Sequence, residues 1–373
     1  MLSRHPSLWS YIVEWDALAT AGKKWTWLNE KEVVLLDPAL VLAVLHDREQ
    51  NYEDQSAFFR TSAHSPLSPQ LRRQMSGALI RVLTAREHCP RRVLPKLLGT
   101  SHRVPGLGVR LIATIFAEEL GLRLSTAAEV VEEYLSRIII EHDLRGSRLV
   151  PVTSVFTRLI ARLADWLEFE YRPQNPPRNV FDIALSGRPE LNFTEVAELS
   201  LRLVLSVTGF TGIALEWALV LGARGNTLPR RGADHLLKET QRLFPTAWRL
   251  GRRARLDHTL GELKILAGTT VILSTATGQR SENEWHDAKT LFPQRWDTPT
   301  RESFYAPFGQ GMNSCPAKAL APRMLGHIIA ATTDKMTVSY TPHLIGKKPT
   351  VGSLLGLPRG RLTFHVRATH AER

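Results

Sequence analysis

The sequence has almost no cysteine. Two thiols in 373 residues, Cys89 and Cys315, exclude a disulfide framework and point to a reducing, intracellular setting. It also has no long, clean apolar run. The most apolar stretch, within residues 195–222, is broken by Glu198, Arg202 and Glu216. Its uninterrupted part, Leu203 to Leu215, is too short to cross a bilayer. The first residues, MLSRHPSLWSYIVEWDALATAG, lack the apolar core and small-residue cleavage site of a secretory signal. These absences predict a soluble, cytoplasmic chain with no membrane partner. No internal repeat and no low-complexity tract stands out.

Acidic residues are in deficit, 36 against 48 Lys and Arg, for a formal charge of +12. Such a balance raises nucleic acid as a partner. The basic residues are scattered, however, with no zinc-finger spacing, no aromatic-interleaved basic motif and no arginine-rich tail. Nucleic acid is therefore not expected. What remains is a solvated basic surface, a docking face for an acidic protein, or counter-charges for an acidic cofactor.

What is present is helix. A chain this long buries a sizeable core as one large domain or two modest ones. Residues 25–46 read as short strands followed by a helix after Asp37-Pro38. Residues 68–140 read mostly as helix, and 153–171 as another, ended by the loop RPQNPPRN at 172–179. Asn192 with Glu195 three residues on has capping-box spacing and starts a long helix to Gly222. That helix is apolar nearly all round, so it is predicted to be buried and central. ADHLLKETQRL at 233–243 is amphipathic and stops at Pro245. LGELKILAGTTVILS at 260–274 reads as a strand pair, and GRLTFHVR near the end as a strand. The class is α+β, mostly α.

Chemistry concentrates around Cys315, in APFGQGMNSCPAKALAPRML. Pro316 follows the thiol, and AKALAPRML reads as a helix start. The positive end of a helix dipole would lower the thiol pKa. Gly309 and Gly311 would let the backbone approach a flat or bulky object closely. A lone activated thiolate serves as nucleophile, redox sensor or metal ligand, and a lone buried cysteine is also a common packing residue. A dinucleotide-binding reading fails for want of the third glycine and a preceding strand.

Three motifs in order resemble those of the cytochrome P450 family of heme-thiolate oxygenases. The first is Phe-x-x-Gly-x-x-x-Cys at Phe308, Gly309, Gly311 and Cys315. The second is Glu-x-x-Arg at Glu239 and Arg242, upstream. The third is an arginine between them, Arg295, in Pro293-Gln294-Arg295-Trp296. The resemblance runs from about residue 25 to the end. It implies the P450 fold, helical with a small β-rich part drawn from about 25–66 and 258–300, in a single domain over 1–373. It implies heme b as cofactor and Cys315 as the proximal ligand of its iron. It implies that Glu239, Arg242 and Arg295 form a structural charge cluster. It implies that Arg72 and Arg252 meet the heme propionates, and that Phe308, Gly309, Gly311, Asn313 and Ala317 line the proximal side. Two customary contacts are altered: Ser68 stands where the family often has His or Trp, and Asn313 where it often has His.

The long helix is expected to cross the distal face of the heme. Anchored on Trp217, SVTGFTGIALEW aligns to the family's Ala-Gly-x-(Asp/Glu)-Thr-Thr. Ser206 and Val207 fall at Ala-Gly, Gly209 at the acid, Phe210 at the first Thr and Thr211 at the second. The acid–alcohol pair that delivers protons for dioxygen activation is then missing. Two readings stay open. Either the register slips and Thr208 or Thr211 supplies the hydroxyl in a ferredoxin-dependent monooxygenase, or the enzyme acts on a substrate N–O or O–O bond or on peroxide. A heme sensor or carrier is the rival outside enzymes. Thr246, Ala247 and Trp248 are expected to line the pocket, with Trp248 and Phe210 as an aromatic roof over a natural-product-like small molecule, unless those two rings are core packing.

Overall fold

The computed structural model describes residues 8–54, 67–85, 94–144, 152–225, 233–298, 303–343, 357 and 359–366. Cys89 and the expected strand region from 55 to 66 lie outside them.

Local signals set the element ends. Helix α1 (Leu8–Thr20) precedes strands β1 (Trp25–Asn29) and β2 (Glu32–Leu35) and helix α2 (Pro38–Leu45). Asp37 caps α2 by accepting from the N–H groups of Ala39 and Leu40 at 2.9 and 3.1 Å, with Pro38 where no donor is needed. Strand β3 (Tyr52–Asp54) and helix α3 (Pro69–Thr84) follow. Ser68 caps α3 through Leu71 N–H at 3.2 Å, so the residue standing where a larger side chain was expected starts the helix that carries Arg72. Next come β4 (Ser101–Val104), α4 (Leu107–Ile115), α5 (Ser125–Leu144), α6 (Val152–Phe169) and α7 (Val180–Leu185).

The expected long helix is present. Asn192 and Glu195 close a reciprocal capping box at 3.0 and 2.9 Å. Helix α8 (Phe193–Leu205) then runs through a π turn at Ser206–Phe210 into α9 (Thr211–Arg224). Its 32 residues are long and apolar enough by composition to cross a membrane, yet 78% of the most apolar window is buried inside the fold. It is the central core helix. Helix α4 crosses it so closely that a Cβ on Gly108 would fall on the carbonyl oxygen of Gly212. Only glycine admits this backbone contact.

Helix α10 (Ala233–Leu243) leads to β5 (Leu250–Ala254), β6 (His258–Leu260), β7 (Leu263–Ile265), β8 (Thr270–Leu273) and the short α11 (Thr275–Gly278). Helix α12 (Leu320–Lys335) and strands β9 (Met336–Pro342) and β10 (Gly360–Val366) complete the chain. One sheet has the order β1-β2-β8-β5-β3, with β2 and β8 parallel; β4-β10-β9 form a second and β6-β7 a hairpin. This corrects the strand pair expected within 260–274. There β7 pairs back to β6, while β8 leaves through the left-handed Gly268 (φ +83°) and inserts between β2 and β5. The β-rich part also takes in β5, which lies before residue 258, and the chain from Thr275 to 298 holds no strand.

The main apolar core joins residues of α3 to α10, α12, β9 and β10 around the α8–α9 helix. Two smaller clusters lie on the five-stranded sheet, one with α2 and one with α1.

Candidate active site

Cys315 lies in a loop between Phe304 and α12. The loop closes on itself: Cys315 N–H donates to Phe308 O at 2.8 Å, and Gly309 N–H to Ala306 O at 3.1 Å. Gly309 and Gly311 have φ of +64° and +72°, the region that favours glycine. The close approach, made by Gly311 alone, is to protein. A Cβ on Gly311 would fall on the carbonyl oxygen of Leu45, at the end of α2. Beside it, His46 Nε2 and Gln310 Oε1 meet at 3.0 Å, and Gln310 Nε2 donates to Tyr305 O at 3.1 Å. The loop is thus pinned to the sheet side of the molecule.

The thiol does not sit at a helix mouth as expected. Residues 316–319 are turn, and α12 begins only at Leu320. Burial accordingly pushes the Cys315 thiol above its ordinary pKa, while the Ala317 N–H and the Lys318 charge pull it down without cancelling that. A half-buried sulfur of this kind would need a metal cation, rather than the helix, to hold it as thiolate. Phe308 and Ala317 are half-buried and Asn313 is exposed.

The charge cluster is assembled as expected. Arg242 donates Nε to Glu239 Oε2 at 2.9 Å and Nη2 to Oε1 at 2.8 Å, and Arg295 Nε donates to Oε1 at 3.1 Å. Two donors were not foreseen: Phe292 N–H at 3.1 Å and Trp296 Nε1 at 3.0 Å. The Trp beside Arg295 was the signal for the second. Burial raises the Glu239 pKa, but the Arg242 bonds and charge, with Phe292 and Arg295, outweigh it and leave the carboxyl below its usual value. The remaining Arg242 hydrogens go to Gln279 O at 2.9 Å, Ala288 O at 2.6 Å and Thr290 O at 3.3 Å. Every member is therefore paired, which is what a buried ion cluster requires. The amide of Gln279 carries the network onward: its Nε2 donates to Gln241 O at 2.9 Å, and its Oε1 accepts Ala306 N–H at 2.8 Å, at the base of the Cys315 loop.

Arg72 lies in the first turn of α3 with its Nε buried and unpartnered. A buried guanidinium donor without a partner fits a carboxylate such as a heme propionate. Arg252 is buried on β5 and donates to Gly251 O at 2.8 Å. The site's residues therefore fit a heme: a soft thiolate ligand on a tight loop and an unsatisfied cationic donor.

On the distal helix, Gly209 is buried, Thr211 is 9% exposed, and Phe210 is half-buried against the main core. The π turn at Ser206–Phe210 holds one residue more per turn than an α-helix. Ser206 Oγ donates to Leu203 O at 2.7 Å and Thr208 Oγ1 to Val204 O at 2.8 Å, so both hydroxyls are spent on their own helix. No hydrogen bond to a described residue engages the Thr211 hydroxyl. Trp217, the anchor of the alignment, stacks on Phe244 at 3.9 Å and 8°.

Thr246 is buried with its hydroxyl unpartnered, and Ala247 O accepts from Thr275 Oγ1 at 2.8 Å. Trp248 is a correction to the expected roof. It is fully buried, stacked on Trp15 at 5.5 Å, in the cluster of Ile12, Val34, Leu36 and Ile272. Helix α1 supplies the apolar partner that draws it into the core, away from a role as pocket wall.

A family model for cytochrome P450 matches residues 233–363. Pentalenene oxygenase of Streptomyces avermitilis is 26% identical over 337 residues, covering 79% of this chain and 72% of that protein. A zebra fish cytochrome P450 solved with abiraterone has a TM-score of 0.73 at 18% identity, over 96% of this chain and all of that one. P450 OxyD, involved in the biosynthesis of vancomycin-type antibiotics, has a TM-score of 0.70 at 17% identity, over 96% and 97%. Residues 233–363, which carry the Glu239–Arg242–Arg295 cluster and the Cys315 loop, thus match the cytochrome P450 family model, and the chain has the fold of cytochrome P450s, a family that binds heme b.

Proposed function

We propose that this enzyme tailors a small, natural-product-like substrate by an atypical reaction, in which a weak N–O or O–O bond of the substrate, or of peroxide, supplies the heteroatom. Isomerisation, cyclisation and intramolecular heteroatom transfer are of this class, since one bond breaks as another forms in the same molecule and no external electrons are consumed. The observation behind it is the distal stretch. It carries no carboxyl, and its Ser206 and Thr208 hydroxyls donate to their own helix. Proton delivery there has neither of its usual groups.

The heme, ligated by the Cys315 thiolate, supplies a redox-active iron onto which the sulfur pushes electron density. The chain's own residues do the rest. Cys315 holds the metal, Arg72 and Arg252 anchor the propionates, and Phe308, Gly309, Gly311, Asn313 and Ala317 shape the proximal loop. Gly209, Phe210 and Thr211 form the distal wall, and Phe210 excludes water from it. Thr246 and Ala247 complete the pocket, with the buried Thr246 hydroxyl available to a polar group of the substrate. The setting we infer is bacterial and cytoplasmic, in secondary metabolism such as antibiotic biosynthesis, in keeping with pentalenene oxygenase and OxyD.

Two observations favour the second reading, a monooxygenase. The Thr211 hydroxyl is not donated to its helix, and the +12 charge suits an acidic ferredoxin. The deciding experiment supplies substrate to the holoenzyme with and without reduced ferredoxin and dioxygen. Turnover in the absence of both, unaided or with added peroxide, is expected; strict dependence on both would establish the monooxygenase instead. A binding-only sensor or carrier would show no turnover under either condition. Restoring the pair with Gly209→Asp and Phe210→Thr is expected to raise dioxygen consumption uncoupled from product severalfold. An unchanged rate would count against placing Gly209 and Phe210 at the distal site.

A further inference from the structure

We propose that Glu216 is a positioning residue, a clamp that sets the register in which the distal stretch Ser206–Thr211 faces the heme site. It requires the heme–thiolate assignment but not the atypical reaction.

Glu216 is fully buried on α9, five residues beyond Thr211. Its Oε1 accepts the N–H groups of Gly106 and Gly108, each at 2.7 Å. Those are the first donors of α4, whose own N-cap, Gly106, has no side chain to satisfy them. The cap of one helix is therefore supplied by another, 110 residues away along the chain. One turn earlier on the same face of α9 is Gly212, in backbone contact with Gly108. Helix α4 thus grips α9 at two points, a steric one at Gly212 and a charge-assisted one at Glu216. Gly212 is the second residue after the π turn. A π turn shifts the register of all that follows by one residue, so whatever fixes α9 fixes where Phe210 and Thr211 point.

The clamp is chemically unusual. Glu216 Oε2 is buried without a partner, and burial drives the carboxyl pKa up to about 7 against the opposing Gly108 and Gly106 N–H groups and the Arg110 charge. Arg110, exposed on α4, is the charged side chain among these influences. On the other elements packed against α9, Glu239 and Arg242 of α10 are bound to each other. The charged side chains Asp234 and Lys238 of α10, and Arg323, Asp334 and Lys335 of α12, are exposed, as is His327; His235 of α10 is half-exposed and pairs with Asp297. Strand β9 carries no charged side chain, and its one titratable group, Tyr340, is pushed up by burial against the Arg224 charge of α9. The sign follows. The folded value lies above the ordinary carboxylate range, so the group's contribution to stability is present at low pH and is lost as pH rises through about 7.

The test uses the holoenzyme and carbon monoxide, a probe that does not itself titrate. Its association rate with the ferrous protein is measured from about pH 5.5 to 8.5, alongside thermal unfolding. Wild type is expected to show a step of about twofold or more centred near 7, as the cap changes from neutral to ionised. Glu216→Gln keeps the acceptor but cannot ionise. It should follow the low-pH limb of wild type at every pH, and its unfolding midpoint should not fall between pH 5 and 8 as that of wild type does. Glu216→Leu should shift the rate at all pH values while the thiolate Soret band persists. The proposal is overturned if wild type has no step, or if the step survives unchanged in Glu216→Gln. Should the Leu variant fail to fold, the Gln comparison decides alone.

Discussion

Glu239→Ala is expected to cost about 3–5 kcal/mol of stability, among the largest effects of any single substitution here. The carboxylate accepts from Arg242, Arg295, Phe292 N–H and Trp296. Removing it leaves the Arg242 guanidinium, which has no solvent exposure, with an uncompensated charge. That penalty exceeds the value of the lost hydrogen bonds themselves, because water cannot take their place. The effect should spread to the thiolate loop, since Arg242 and the Gln279 amide that bonds Ala306 belong to one network. Thermal unfolding and heme retention are the readouts. Glu239→Gln keeps acceptor and volume but loses the charge, and should fall between wild type and the Ala variant. An Ala variant that melts within a degree or two of wild type would show that the cluster does not hold the loop.

Gly311→Ala is the second large effect. Two costs add. Alanine at φ +72° is strained by about 1 kcal/mol, and the new Cβ would collide with the Leu45 carbonyl, which is backbone and cannot rotate aside. Together they cost about 2–4 kcal/mol, or else the loop withdraws from α2. Withdrawal would break the His46–Gln310 contact and move Cys315. The expected result is a ferrous carbonyl that converts to the shorter-wavelength Soret form within minutes, where wild type is stable. Gly309→Ala makes the control. It has a similar positive φ, but its Cβ would meet only Leu250 Cδ1 and Ser314 Cα, at an ordinary 3.6 and 3.9 Å, so it should lose about 1 kcal/mol and keep the thiolate band.

The sequence revealed what is local or strictly spaced. The capping box at Asn192 and Glu195 depends on two side chains three residues apart, and it forms as read. Glu239, Arg242 and Arg295 could be linked because i,i+3 spacing puts two of them on one helix face and the third follows a recognisable Pro-x-Arg. Long-range partners were harder to see. Nothing near Trp248 in the chain announces Trp15, some 230 residues earlier, so the sequence leaves the ring open between pocket wall and core, and the packing of α1 decides for the core. The Cys315 helix was placed early because Ala, Lys and Leu favour helix wherever they occur, while tertiary contacts keep 316–319 as turn. In the sequence Glu216 is only an interruption in an apolar run. Its meaning lies in two N–H groups of a helix far upstream. The π turn likewise has no composition signal; it lies just before the crossing of Gly108 and Gly212, a contact between residues far apart in the chain.

The most direct test of the account is the absorption spectrum of the purified ferrous protein under carbon monoxide, with Cys315→Ser measured in parallel. Sulfur ligation by Cys315 predicts the long-wavelength Soret band of a thiolate-bound carbonyl in wild type and its complete loss in the Ser variant. A wild-type spectrum without that band, or a Ser variant that retains it, would contradict the assignment of Cys315 as the iron ligand.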